Sequence, residues 1–285
     1  MLTQTMSRPS DPTEARPLPD LSVALVQTRL HWENPAGNCQ ALDRMLQGHC
    51  AAADVVILPE VFNSGFSMNV ATTAQKMDGP TINWMRDTAN RLQTALCGSL
   101  AIRVDQQVFN RFVMALPDGQ LLHYDKRHLF RMGGEHQRYT PGQQRCVWHW
   151  RGWRLCPMVC YDLRFPVWSR NHDDFDALVY VANWPAERGD HWRALLTARA
   201  IENQCAVIGV NRIGEDGRGI RYRGDSLAID AQGRKLCDPG TTEGVHRCRI
   251  DGVEQSRYRT RFPTVLDADP FVLSHQPRDG NEHRQ

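Results

Sequence analysis

The sequence predicts an α/β protein in which two β-sheets pack face to face with helices outside. Two observations carry that prediction. Apolar strand-like runs alternate with helical periodicity near both ends of the chain, and residues 95–159 between them read as one strand after another. Two stacked sheets bury the apolar faces of such a pattern, whereas one doubly wound parallel sheet calls for a helix between successive strands.

Residues 21–28 pass from alternating to fully apolar and read as the first strand. Residues 38–50 place Ala41, Leu42, Met45 and Leu46 on a helical period, and residues 54–59 return to strand. Asp78-Gly79-Pro80 opens the next helix, over 80–93, with Ile82, Trp84, Met85 and Leu92 as its apolar positions. Strands follow at 96–104, 108–116, 120–124, 146–150 and 153–159, several joined by short turns such as Pro117-Asp118-Gly119, and are expected to pair largely antiparallel. A helix is expected around 167–172, a strand over 177–182, a strong helix over 191–204, and strands over 205–211 and 226–230.

Composition narrows the function. The 34 basic and 32 acidic residues leave a net charge of +2, so the balance points away from nucleic acid or an anionic membrane and towards a small-molecule partner. The longest strongly apolar runs, 55–59 and 177–182, fall far short of the roughly 20 residues of a membrane-spanning helix. Residues 1–20 lack the continuous apolar core of a signal peptide and are expected to form a flexible leader, with one domain over 21–265 and a tail over 266–285. The nine cysteines show no paired spacing, which fits reduced thiols in the cytoplasm.

Three segments put reactive groups at the ends of apolar strands. In VVILPEVFNSGF, Glu60 follows a buried-looking strand, where desolvation would raise its pKa and suit it to shuttling protons. In HYDKRHLFRMGGEH, Lys126 ends a strand and Glu135 follows Gly133-Gly134; an ammonium near two carboxylates can stabilise an oxyanion. In LCPMVCYDLRFP, a sharp strand-to-helix turn would expose Cys160, with the helix N-terminus favouring its thiolate. Taken singly, these groups also read as a solvated carboxylate, a surface charge cluster and a small buried hydrophobe.

Other chemistries lack their signatures. Cys156 and Cys160 would lie roughly 13 Å apart on an extended strand, and neither CxxC nor HExxH occurs, so no metal site is expected. His123, His128, His136 and His191 read as supporting or surface groups. No GxGxxG, GxxxxGK[ST] or GxSxG element supports a nucleotide site or a serine nucleophile.

Taken together and in this order, LPE at Glu60, YDKRHLF at Lys126 and VCYDLRFP at Cys160 resemble the nitrilase superfamily of carbon-nitrogen hydrolases. The run LVYVANWPAERGDHWRALLTARAIENQ extends the match, which covers residues 21–262. KRHLFRM, CYDLRFPVWSRN and YVANWP look most like the bacterial ω-amidase group. The resemblance implies a four-layer αββα sandwich, a homodimer or larger homo-oligomer, and no cofactor. It implies Glu60 as general base and acid, Lys126 as oxyanion stabiliser with the Tyr161 backbone N–H, Cys160 as nucleophile, and Glu135 as auxiliary glutamate. Arg164 is the expected ligand of a substrate carboxylate, with Arg131 a weaker candidate, and Phe66 and Trp184 are expected pocket walls. The implied reaction is hydrolysis of the terminal amide of a 2-oxo dicarboxylic acid monoamide; a nitrile, N-carbamoyl or aliphatic amide substrate would use the same three groups.

Overall fold

A computed structural model describes residues 17–50 and 52–273. Residues 1–16 of the expected leader over 1–20 and residues 274–285 of the expected tail over 266–285 lie outside the described residues. The leader reading needs correcting at its inner end: Leu18 is buried in the core, and its backbone N–H donates to Ser256 Oγ at 3.2 Å.

Strand β1 (Leu21–Gln27) shows how the layers arise. Leu21, Val23 and Leu25 face the interior between the sheets, whereas Ala24 and Val26 join the cluster beneath the outer helices. Helix α1 (Pro35–Leu46) begins earlier than its apolar positions signal, because Asn34 caps it by accepting the Gly37 N–H and proline suits the first turn. Strand β2 (Val55–Ile57) is parallel to β1. After the single turn α2 (Val70–Thr73) and helix α3 (Pro80–Leu92), β3 (Ala95–Val104) pairs parallel to β2. Strands β4 (Gln107–Ala115) and β5 (Leu121–Asp125) continue this sheet antiparallel.

The second sheet begins with the hairpin of β6 (Trp148–Trp150) and β7 (Trp153–Val159). Parallel strands β8 (Ala177–Ala182) and β9 (Ala206–Asn211) follow, with α4 (Gly189–Asn203) crossing between them. A separate hairpin joins β10 (Ile213–Glu215) to β11 (Arg221–Arg223), and antiparallel β12 (Leu227–Ile229) and β13 (Lys235–Cys237) complete the second sheet. Strand β14 (Gly244–Ile250) then returns to the first sheet against β1, ahead of helix α5 (Gly252–Arg261). The strand orders are β14-β1-β2-β3-β4-β5 and β13-β12-β9-β8-β7-β6.

The expected face-to-face sheets with outer helices are therefore present. Phe112 of β4 meets Trp148 of β6 edge-on between the sheets, at 5.5 Å between ring centroids. Helix α4 buries Trp192, Leu196 and Ala200 on the second sheet, and every residue of β8 is buried because both its faces are covered. Among the described residues, no helix is long and apolar enough to cross a membrane.

One expected helix is absent. Over residues 167–172 the chain turns instead, with the Asn171 side-chain oxygen accepting the N–H groups of Asp174 and Phe175. Such side-chain bonds offer the backbone an alternative to helix. The helix after Cys160 is a five-residue 3-10 segment, Cys160–Arg164.

Candidate active site

Chain ends of both sheets converge on one place. Glu60 follows β2, Lys126 follows β5, Cys160 follows β7 and Asn183 follows β8. Two of these turns use left-handed backbone at non-glycine residues, with φ +37° at Val61 and +44° at Cys160. Such conformations persist only where their surroundings hold them. Ser99 Oγ accepts the Val61 N–H at 2.9 Å, and Asp162 Oδ2 accepts the Val159 N–H at 3.0 Å.

Lys126 is the hub. Its Nζ lies 2.9 Å from Glu60 Oε1 and 3.0 and 2.9 Å from the two oxygens of Glu135, and all three side chains are 0% exposed. Asn110 Nδ2 donates to both carboxylates, at 2.8 Å to Glu60 and 3.0 Å to Glu135. The other Glu60 oxygen accepts the Asn183 N–H at 2.7 Å, and Glu135 Oε2 accepts the Phe130 N–H at 2.6 Å. The Cys160 thiol approaches the Asn183 carbonyl oxygen at 4.0 Å and lies close enough to Glu60 to feel its charge.

Burial alone would push the Lys126 pKa down, but Glu135 and Glu60 hold it well above the usual lysine value. Burial, helped by the Glu60 charge and opposed by Lys126, raises Glu135. Cys160 is raised well above an ordinary thiol, first by burial and then by Glu60, with Lys126 opposing. The expected thiolate bias is thus reversed: a short 3-10 segment offers little dipole, and the nearby carboxylates favour the protonated thiol. A thiol near a carboxylate and a buried ammonium is the equipment for nucleophilic acyl transfer.

Asp162 ties the cysteine turn to the lysine loop. It accepts from Tyr124 Oη at 2.8 Å and from the His128 backbone N–H at 2.9 Å, and His128 Nδ1 lies 2.8 Å from it. Outside the turn lies a cleft of about 840 Å³ whose walls include Cys160, Tyr161, Arg164, Phe66, Phe130 and Trp184.

The carbon-nitrogen hydrolase family model matches residues 22–258. The chain belongs to the carbon-nitrogen hydrolase family. Omega-amidase YafV of Escherichia coli (strain K12) is 46% identical over 260 residues, covering 90% of this chain and 100% of that protein. The 2-oxoglutaramate amidase of Bacillus subtilis is 33% identical, covering 86% of this chain and 96% of its own. Among solved structures, a CN-hydrolase superfamily protein of Xanthomonas campestris with an arsenic adduct in its active site is 47% identical. It superposes with a TM-score of 0.88, over 90% of this chain and 100% of that one. Saccharomyces cerevisiae Nit3, a nitrilase superfamily member, shares the fold at 22% identity and a TM-score of 0.75, over 86% of this chain and 94% of its own.

Within this carbon-nitrogen hydrolase, Glu60, Lys126, Glu135 and Cys160 come together as one cluster, and Tyr161, Arg164, Phe66 and Trp184 all line the adjoining cleft. Lys126 Nζ lies 5.2 Å from the Phe66 ring centroid. Arg131, the weaker cation candidate, is on the surface, as the usual exposure of arginine favours, and is not among the cleft-lining residues, while Arg188, Arg218, Arg221 and Arg223 are. Arg131 belongs to the 3-10 turn Arg131–Gly133, of which only Gly133 and Met132 reach the cleft. Asn110, Asn183 and Asp162 were missed as site residues. Their signal was a polar side chain within or directly after an apolar strand, which must find hydrogen-bond partners if buried.

Proposed function

We propose that the protein is an ω-amidase, hydrolysing the terminal amide of 2-oxo dicarboxylic acid monoamides such as 2-oxoglutaramate and 2-oxosuccinamate to the keto acid and ammonia. The observation that carries this reading is the 46% identity to an omega-amidase across that protein's whole length. The cluster of Glu60, Lys126 and Cys160 supports the chemistry, and the cation Arg164 in the same cleft supports the substrate class.

In the proposed cycle, Glu60 takes the proton of the Cys160 thiol as Sγ attacks the amide carbon. The Lys126 ammonium and the Tyr161 backbone N–H hold the tetrahedral oxyanion, in a site screened from water where such charges act strongly. Glu60 then passes its proton to the departing ammonia, leaving a thioester on Cys160. Water, deprotonated by Glu60, attacks that thioester; the acid departs and the thiol regains its proton. Glu135 orients Lys126. Arg164 receives the far carboxylate between walls formed by Phe66 and Trp184.

We place this enzyme in the cytoplasm as a homodimer or larger homo-oligomer; its nine cysteines, all free, are in keeping with a reducing compartment. The deciding experiment measures ammonia release from 2-oxoglutaramate by the wild type and by Cys160→Ala, with an aliphatic nitrile in parallel. Activity lost only in the variant supports the reading. Equal activity in both removes Cys160 from the mechanism, and turnover of the nitrile alone moves the enzyme to nitrile hydrolysis.

A further inference from the structure

Five arginines line the cleft, and their partners set them apart. Arg223 pairs with Asp225 and Asp190, which spends its charge within the protein. Arg188 has Glu187 at 3.5 Å. Arg218 and Arg221 are exposed around the β10–β11 hairpin, and their side chains have no hydrogen bond or ion pair among the described residues, so nothing fixes their guanidinium groups.

Of the five, Arg164 alone is both held and left charged. Its Nη2 lies 3.0 Å from His191 Nδ1, and its Cζ lies 4.9 Å from the Trp184 ring centroid. A guanidinium has only donors, so Nδ1 must be the acceptor, and the imidazole bound there is neutral with its proton on Nε2. Trp184 is itself fixed, its indole N–H donating to Arg188 O at 2.7 Å and its backbone N–H to Asn211 Oδ1 at 2.8 Å.

Two neutral groups therefore set the direction of a cation without cancelling its charge. A carboxylate in the place of His191 would hold Arg164 equally well but would compete with an anionic substrate. With no holder, the long side chain would have to be ordered by each substrate that binds, at a cost to affinity.

We propose that His191 is the positioning residue of the substrate-carboxylate site: through Nδ1 it presents the Arg164 guanidinium to the far carboxylate of the amide. The proposal rests on the reading of Arg164 as that carboxylate's ligand, and its test separates the two.

The experiment measures kcat and KM for 2-oxoglutaramate in wild type, Arg164→Gln, His191→Ala, His191→Asn and the double variant Arg164→Gln/His191→Ala. His191→Ala should raise KM about fivefold, the factor of one ordinary net hydrogen bond, with a smaller change in kcat. His191→Asn should recover most of the loss, because its Oδ1 can stand where Nδ1 stood. In the Arg164→Gln background the His191 substitution should add almost nothing. His191 is exposed, so its removal leaves no core cavity, and equal melting temperatures will verify that. An unchanged KM in His191→Ala, or the same increment with and without Arg164, overturns the positioning role. An unchanged KM in Arg164→Gln, or no turnover of 2-oxoglutaramate by the wild type, overturns the reading beneath it.

Discussion

Lys126 Nζ touches both carboxylate oxygens of Glu135, at 3.0 and 2.9 Å, with neither side chain exposed to solvent. Its further contact at 2.9 Å with Glu60 makes one ammonium the shared counter-ion of two carboxylates. One positive charge cannot balance two negative ones out of water, so the cluster favours an additional proton; burial and the Glu60 charge accordingly raise Glu135.

Lys126→Met removes the only cation of this cluster. Without it the Glu135 pKa should climb further, since Lys126 is what opposes the rise. A carboxyl whose folded pKa lies above its unfolded value favours the folded state when protonated, so the variant's stability should fall as pH rises above about 4.5. In the wild type, Lys126 is itself raised, and its contribution should persist until about pH 10.5 and be lost only above that. Melting curves at pH 5 and pH 8 should show the variant losing about 3–5 kcal/mol at the higher pH and less at the lower. A deficit independent of pH would contradict this charge balance. Activity should fall by about 10²-fold or more, as for loss of an oxyanion donor.

Cys160 should behave as a protonated thiol at rest. Burial first, then Glu60, raises its pKa well above the usual thiol value. Its alkylation by iodoacetamide, followed by mass spectrometry, should therefore keep accelerating as pH passes 9, since only thiolate reacts. A rate already level at pH 7 would mean a stable thiolate in the free enzyme.

This reversal shows what the sequence could and could not reveal. VCYDLRFP makes Cys160 conspicuous because a nucleophile ends an apolar strand, but neither the burial that keeps it protonated nor the Glu60 carboxylate that adds to it, from the end of β2 in the other sheet, can be read from that segment. Asn110 stayed hidden inside the apolar run of β4, where alternation signals strand and says nothing of a polar partner. Strand β14 was overlooked because Arg247 and Arg249 alternate outward, leaving little apolar signal, although seven residues pair with β1. Helix α5 buries only Gly252, Gln255 and Ser256, so it offers no apolar stripe to read. By contrast, β7 and β8 were legible to within the residue, because strands covered on both faces are strongly apolar: β8 is uninterrupted, and β7 is broken only by Arg154 near its start.

Asn110→Leu keeps nearly the same shape while removing two donors at once. Each bond to a carboxylate is worth about 1.5–3 kcal/mol, and Ser99 Oγ loses its acceptor as well, so the melting temperature should drop clearly. The Asn110 hydrogen bond also helps hold Glu135 down. The acid limb of the pH dependence of kcat/KM should therefore move to higher pH; a shift towards lower pH would contradict this role for the amide.

Asp162→Ala tests whether the cysteine turn and the lysine loop act as one unit. Fully buried Asp162 accepts the Val159 N–H beside the left-handed turn and the His128 N–H just beyond Lys126, and Tyr124 Oη links the two by donating to it. Losing this carboxylate strands those three donors, at about 1–3 kcal/mol for each left unpaired. It should also let the two loops drift, and a misplacement near 1 Å can cost about 10²-fold in rate. We expect kcat to fall at least tenfold along with the melting temperature, although Asp162 touches neither the thiol nor the ammonium. Lowered stability with full kcat would mean that Asp162 braces the fold and leaves the alignment of Cys160 with Lys126 to the shared contacts at Glu60.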